Sequence, residues 1–226
     1  MQPGKYDVLP SQIQHIGIGA PGIVKNGIIN DFSNIKLENF EIAKIIKEKT
    51  GLDTYVKNDA KCAGIAENLF GEMSKYSDSV FLTIGTGIGG AVFINNELQE
   101  GKNYAGYEIG HMIIDANNNN AKCNCGKTGC FEALASMRKL KQMVGDNISH
   151  IPEQYIDNLS IGISNLINIF EPEIVVLGGS IAFYEELVLD KLKQNINQYC
   201  INEFSNIKCA KLKNDAGIIG AAYGNI

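Results

Sequence analysis

Three cysteines crowd into eight residues, Cys123, Cys125 and Cys130, beginning twelve residues after His111, and nothing else in the 226-residue chain restricts its folding as much. One imidazole and three thiolates make a complete tetrahedral set for zinc. Gly126 and Gly129 let the loop turn tightly enough for three sulfurs to reach one ion at about 2.3 Å. With four protein ligands no position is left for water, so the ion is expected to be structural, about one per chain. The histidine argues against an iron–sulfur cluster; free thiols in a loop are the plain alternative. Cys62, Cys200 and Cys209 stand alone and read as buried apolar side chains.

This usage is not that of a secreted disulfide framework, which spreads its cysteines through a small domain. The N-terminus MQPGKYDVLP lacks the basic-then-apolar pattern of a signal peptide, so a reducing cytoplasm is expected. With 45% hydrophobic and 20% charged residues the chain can bury a real core. No apolar run reaches the roughly 18–20 residues that cross a bilayer, which excludes a membrane span. A formal charge of −5 with no Lys/Arg block speaks against nucleic-acid binding.

Along the chain, apolar strands alternate with amphipathic helices, the signature of an α/β layered fold. From Gln14, IGIGAPGIV reads as a strand running into a Pro-Gly turn, and residues 40–50 as a helix with Phe40, Ala43 and Ile46 on one face, stopped by Gly51. TYVKND is a short strand, followed by a helix with Ala63, Ala66, Leu69 and Phe70 on one face and Gly71 as its stop. Asn58 and Asp59 therefore sit at a strand-to-helix junction, where side chains are presented rather than buried. Two β runs, SVFLTIGTGIGG and AVFINNELQEG, come next, then an Asn-rich stretch and FEALASMRKLKQMV as one helix. Residues 153–170 are helical, EIVVLGGS is a buried strand entering a Gly turn, EELVLDKLKQNINQY is helical, IKCAKL is a strand, and AGIIGAAYGN is a final small-residue helix.

Gly85, Gly87 and Gly90 formally satisfy G-x-G-x-x-G, but a dinucleotide fingerprint needs a helix directly afterwards. Here a β-branched, aromatic run follows, so the context is strand–turn–strand and the site is not a Rossmann one. A glycine-lined hairpin can still cradle phosphate, because backbone N–H groups approach an anion without Cβ interference and Thr86 adds a hydroxyl; a hairpin without a ligand is the alternative. Glu108 and Glu132 bracket the cysteine loop, and a metal pinning that loop would fix both carboxylates as acceptors for a polyhydroxylated ligand.

The segments IGIGAPGIV, NDAKCAGIAENLFGE, LTIGTGIGGAVF, YEIGHM, CNCGKTGCFEALAS, IVVLGGSIA and DAGIIGAAYG together resemble, in order, the ROK family of repressors, uncharacterised reading frames and sugar kinases. The resemblance implies an actin-like ATPase (ribonuclease H-like), two-lobed α/β fold that phosphorylates a hexose or N-acetylhexosamine, as a glucokinase does, with ATP and Mg2+. It makes Asp59 the catalytic base and Asn58 its sugar-binding neighbour. Glu108, His111 and Glu132 match residues lining the sugar pocket, and His111, Cys123, Cys125 and Cys130 match the zinc ligands. Gly85, Thr86, Gly87 and Gly89 belong to the phosphate hairpin, and Gly178 and Gly179, followed by Ser180 where the family more often has glycine, to the turn beside the nucleoside. A homodimer or higher homo-oligomer is the family default.

The family opens with a strand carrying D-x-G-G-T, and no such motif occurs in this sequence. The expectation is an incomplete N-terminal lobe (1–74), a C-terminal lobe (75–215) and a last helix (216–226) packing back towards the first lobe. Residues 1–13 read as the tail of an absent helix, and His15–Gly19 as a strand left with an unpaired apolar edge. Besides a kinase, the sequence allows a sugar-sensing regulator or an inactive truncated remnant. Glucose, fructose, mannose and N-acetylmannosamine would all meet the same Asn, Asp and Glu set.

Overall fold

The computed structural model describes residues 10–31 and 39–224, so the reading of residues 1–9 lies outside it. Strand β1 (His15–Ala20) leads through Pro21-Gly22 into a hairpin, β2 (Ile23–Lys25) and β3 (Ile28–Asp31), which the sequence reading missed. Its turn is Asn26-Gly27 with φ of 52° and 76°, the left-handed pair that matches strand twist in a two-residue hairpin. Helix α1 (Ile42–Thr50) ends at Gly51, whose left-handed backbone closes onto the Lys47 carbonyl. None of its residues is buried. Strand β4 (Asp53–Asn58) pairs in parallel with β1, Ala20 opposite Asn58, so the Pro21-Gly22 turn and the start of α2 (Asp59–Phe70) emerge side by side. Among the described residues β4 is the only strand paired with β1.

The buried face of α2 differs from the expected one. Ile65, Ala66 and Glu67 are covered, together with Lys61 and Cys62, whereas Leu69 and Phe70 are 36% and 45% exposed. Counting apolar positions alone takes Leu69 and Phe70 as covered and passes over Lys61 and Glu67.

Strands β5 (Ser79–Ile84), β6 (Ile88–Ile94) and β7 (Glu97–Leu98) form an antiparallel meander, with Gly89 and Gly90 inside β6 rather than in a linker. The segment 131–144 is two helices, α3 (Phe131–Ala135) and α4 (Met137–Val144), not one. Ser136 breaks them: its backbone is extended and its hydroxyl accepts the Lys139 N–H as the cap of α4. Helix α5 (Glu153–Phe170) precedes β8 (Ile174–Gly178), and α6 (Glu185–Ile196) precedes β9 (Ile207–Cys209). The larger sheet runs β7-β6-β5-β8-β9, with β5, β8 and β9 parallel. Its central strands are covered on both faces, which is why they read as unbroken apolar runs. Val80 and Leu82 face Leu159 and Ile163 of α5 and Leu192 of α6, while Phe81 and Val176 face Ile65 of α2. The last helix, α7 (Ala216–Ala222), lies against α2 and β1. No described helix is long and apolar enough to cross a membrane.

Candidate functional site

Asn58 and Asp59 divide the work at the β4–α2 junction. Asn58 is the cap: its Oδ1 accepts the Ala60 and Lys61 N–H groups at 3.0 and 3.2 Å, and its Nδ2 donates to the Gly22 carbonyl at 3.1 Å. Asp59 is the first helical residue, and its exposed carboxylate takes the Ala60 N–H through Oδ1 at 2.8 Å. The side chain that presents itself to a ligand is thus Asp59, while both polar ends of Asn58 hold the backbone in position.

Facing this junction is the β5–β6 hairpin, closed by the Gly85 N–H on the Gly87 carbonyl at 2.9 Å. Glu132, in the first turn of α3, accepts the Ile88 N–H at 3.0 Å through Oε2. A Cβ at Gly87 would overlap that oxygen, so glycine is what lets the carboxylate lock onto the hairpin. Glu108 precedes and His111 ends a short 3-10 turn (Ile109–His111) packed against β6 of the hairpin. One cavity of about 340 Å³ collects Asn58, Asp59, Gly85, Thr86, Gly87, Gly89, Glu108, His111 and Glu132. Its walls are carboxylates, an imidazole and backbone amides, with Lys61 also among them, a lining suited to a hydroxyl-rich ligand beside an anion.

Behind His111 lie the three cysteines. The ligating atoms of His111, Cys123, Cys125 and Cys130 are all within 4.8 Å of one another. The Cys123 Sγ to His111 Nδ1 distance is 3.5 Å and the Cys125 to Cys130 sulfur distance is 3.6 Å. Tetrahedral zinc with bonds of about 2.3 Å sets sulfur–sulfur edges of about 3.8 Å, so the donor set fits such an ion. Burial, followed by the neighbouring Cys125 and Cys123 thiols, pushes the Cys130 thiol up to about 12. A divalent cation at the centre would offset the cost of gathering these sulfurs as thiolates.

Gly178 and Gly179 do not line this first cavity. They close β8, whose register sets Gly178 beside Thr83, so the turn stands next to the hairpin, with Ser180 near Gly85. Ser180 lines a second cavity of about 640 Å³, and Thr86 lines both. The crevice at the carboxyl ends of parallel strands is where open α/β sheets take ligands.

Two charged residues escaped the sequence reading. Lys61 is only 4% exposed, two residues past Asp59; its ammonium lies 3.6 Å from Glu100, which is also 3.5 Å from Lys57. Burial pulls the Lys61 pKa down, opposed by Glu100 and then Glu108. Arg138, the sole arginine of the sequence, lines the second cavity. A buried lysine inside an amphipathic helix, and the rarity of arginine, were the signals available for them.

The family model described as "ROK family" matches residues 5–224, and the chain belongs to that family. It is 34% identical to a xylose repressor of Caldicellulosiruptor bescii over 93% of this chain and 62% of the repressor. It is 30% identical to a glucokinase of Thermotoga maritima over 92% of this chain and 78% of that one. A ROK family glucokinase from Streptomyces griseus, solved in complex with glucose and AMPPNP, matches with a TM-score of 0.78 at 25% identity, covering 93% of this chain and 81% of that chain. The chain therefore has the actin-like ATPase fold of the ROK sugar kinases. It spans between 54% and 62% of the length of the xylose repressors it is similar to.

Proposed function

We propose that the chain phosphorylates a hydroxyl of a hexose or N-acetylhexosamine with magnesium-ATP, Asp59 acting as general base. The observation that carries this reading is the single cavity in which the Asp59 carboxylate faces the glycine hairpin, with Glu108, His111 and Glu132 around it. Phosphoryl transfer asks little covalent chemistry of a protein; it asks for in-line positioning, charge stabilisation and a base near the attacking hydroxyl. On this reading the sugar lies against Glu108, His111 and Glu132, which accept and orient its hydroxyl groups. One sugar oxygen attacks the terminal phosphorus, the bond from that phosphorus to the ADP oxygen breaks, and the hydroxyl proton passes to Asp59. Backbone amides of residues 85–89 hold phosphate oxygens, and the nucleoside lies towards Gly178 and Gly179. His111, Cys123, Cys125 and Cys130 would hold a zinc ion that fixes the loop between Glu108 and Glu132.

A second reading, a sugar-sensing regulator, is supported by the 34% identity to a xylose repressor. Coupled ADP release with magnesium-ATP and a panel of hexoses, pentoses and N-acetylhexosamines separates the two. Sugar-dependent turnover that disappears in Asp59→Asn, with sugar affinity retained, is the expected result. Calorimetric sugar binding without turnover in the unsubstituted chain would favour the sensor.

A further inference from the structure

We propose that Arg138 is a phosphate ligand, its guanidinium binding the terminal phosphate oxygens of the nucleotide; this deepens the kinase reading above and rests on it. Ser136 separates α3 from α4 two residues before Arg138. Because α4 starts afresh at Met137, the Met137 N–H is free to donate to the Gly85 carbonyl at 2.9 Å. Arg138 is thereby fixed one residue from a backbone bond to the first glycine of the hairpin.

From that anchor its side chain lines the second cavity together with Thr86, Lys141, Ser180, Phe183 and Tyr184. The side chain is 37% exposed and its guanidinium carries five donors, yet among the described residues it makes no hydrogen bond. Its nearest anion is Glu132 Oε1 at 3.7 Å, beyond hydrogen-bond reach. Glu132 does not depend on that contact, since its other oxygen already holds the Ile88 amide. The other cation of the cavity, Lys141, is engaged with Asp146 at 3.1 Å. What remains is a fork of unspent donors beside Thr86, the residue shared by both cavities. Planar, bidentate donation to phosphate is what arginine does better than lysine, and charge on a transferring phosphoryl group is what such a clamp stabilises.

Calorimetry with magnesium-ATP, adenosine and the sugar found active in the panel, on the unsubstituted chain, Arg138→Met and Arg138→Lys, tests this. Arg138→Met is expected to weaken ATP binding about tenfold or more, leaving adenosine and sugar affinities unchanged, with Arg138→Lys in between. In turnover, KM for ATP rises and kcat falls while KM for sugar stays. Equal ATP affinity in Arg138→Met and the unsubstituted chain would overturn the proposal. So would an equal loss for ATP and adenosine, which would make Arg138 a wall of the cavity, or a parallel loss for sugar, which would make it a prop for Glu132. An unsubstituted chain that binds sugar but no ATP would sink the kinase reading and Arg138's role with it.

Discussion

Gly87 and Asp59 fail in different ways when altered, and the difference measures what each residue does. A methyl group at Gly87 would overlap Glu132 Oε2 and drive the carboxylate off the Ile88 amide. Breaking a hydrogen bond to a charged acceptor costs about 1.5–3 kcal/mol, so Gly87→Ala should lower the melting temperature and weaken sugar binding together, seen by calorimetry and thermal unfolding. Asp59→Asn keeps size and shape at an exposed position and should leave the melting temperature nearly unchanged while turnover is lost. The sequence located Asn58 and Asp59 at a strand-to-helix junction, and the structure has them there. Their division of labour was not legible. Whether the cap falls on 58 or 59 is a matter of one residue at a helix boundary, where propensity does not discriminate Asn from Asp. Nor could composition reveal that Glu132 spends one oxygen on a hairpin amide, because that bond joins segments 44 residues apart.

Elements were legible where a period repeated and opaque where one side chain decided. The helix at 153–170 and the apolar strands β5 and β8 stand where periodicity put them. The interruption at Ser136 did not announce itself, since it depends on one capping residue inside an apolar stretch, whereas Asn26-Gly27 is itself a two-residue hairpin signal and was there to be read. The segment from Gln99 to Glu108 is held in a comparable way, by charge rather than by period. Glu100 accepts contacts from Lys57 of β4 and Lys61 of α2, and the Tyr104 carbonyl meets the Lys61 ammonium at 3.5 Å. Glu100→Gln strips the carboxylate from an ammonium whose side chain is 6% exposed. Leaving such a charge unpaired should destabilise the fold by about 2 kcal/mol and loosen the segment that carries Glu108. The pH dependence follows from the sign of the shift. Burial already holds the Lys61 pKa below 10.5, and losing Glu100 lowers it further. A lysine with a lower pKa folded than unfolded destabilises while it is charged, and that penalty fades as pH climbs from the folded value towards the unfolded one. Urea unfolding should therefore show the widest gap between variant and parent near neutral pH and a narrower one near about pH 10.

At the scale of the molecule, the chain's last described helix supports the helix that opens the site. The Gly220 position meets the Cys62 carbonyl so closely that a Cβ would overlap it, and a Cβ at Gly17 of β1 would overlap the Ala221 carbonyl. His15 Nε2 lies 2.7 Å from the Ala222 oxygen. Glu67, fully buried in α2, accepts the Leu212 and Glu72 N–H groups at 2.7 and 2.9 Å. Residues as far apart in the chain as Cys62 and Gly220, or Gly17 and Ala221, are in this way packed backbone to backbone, a closeness that pattern reading along the chain has no means of expressing. Two glycines of α7 test the arrangement against simple helix propensity. Gly217 faces open space, with nothing within 4 Å of an added Cβ. Gly217→Ala should therefore gain about 0.4–1 kcal/mol by restricting the unfolded chain. Gly220→Ala offers the same propensity gain but forces α7 away from α2, at a cost of about 1–3 kcal/mol for overpacking. Because α2 begins at Asp59, that displacement reaches the cavity, and sugar affinity should fall with stability in Gly220→Ala while Gly217→Ala leaves it untouched. Equal melting temperatures for the two variants would mean that α7 is merely laid against the molecule, and that the position of Asp59 owes nothing to it.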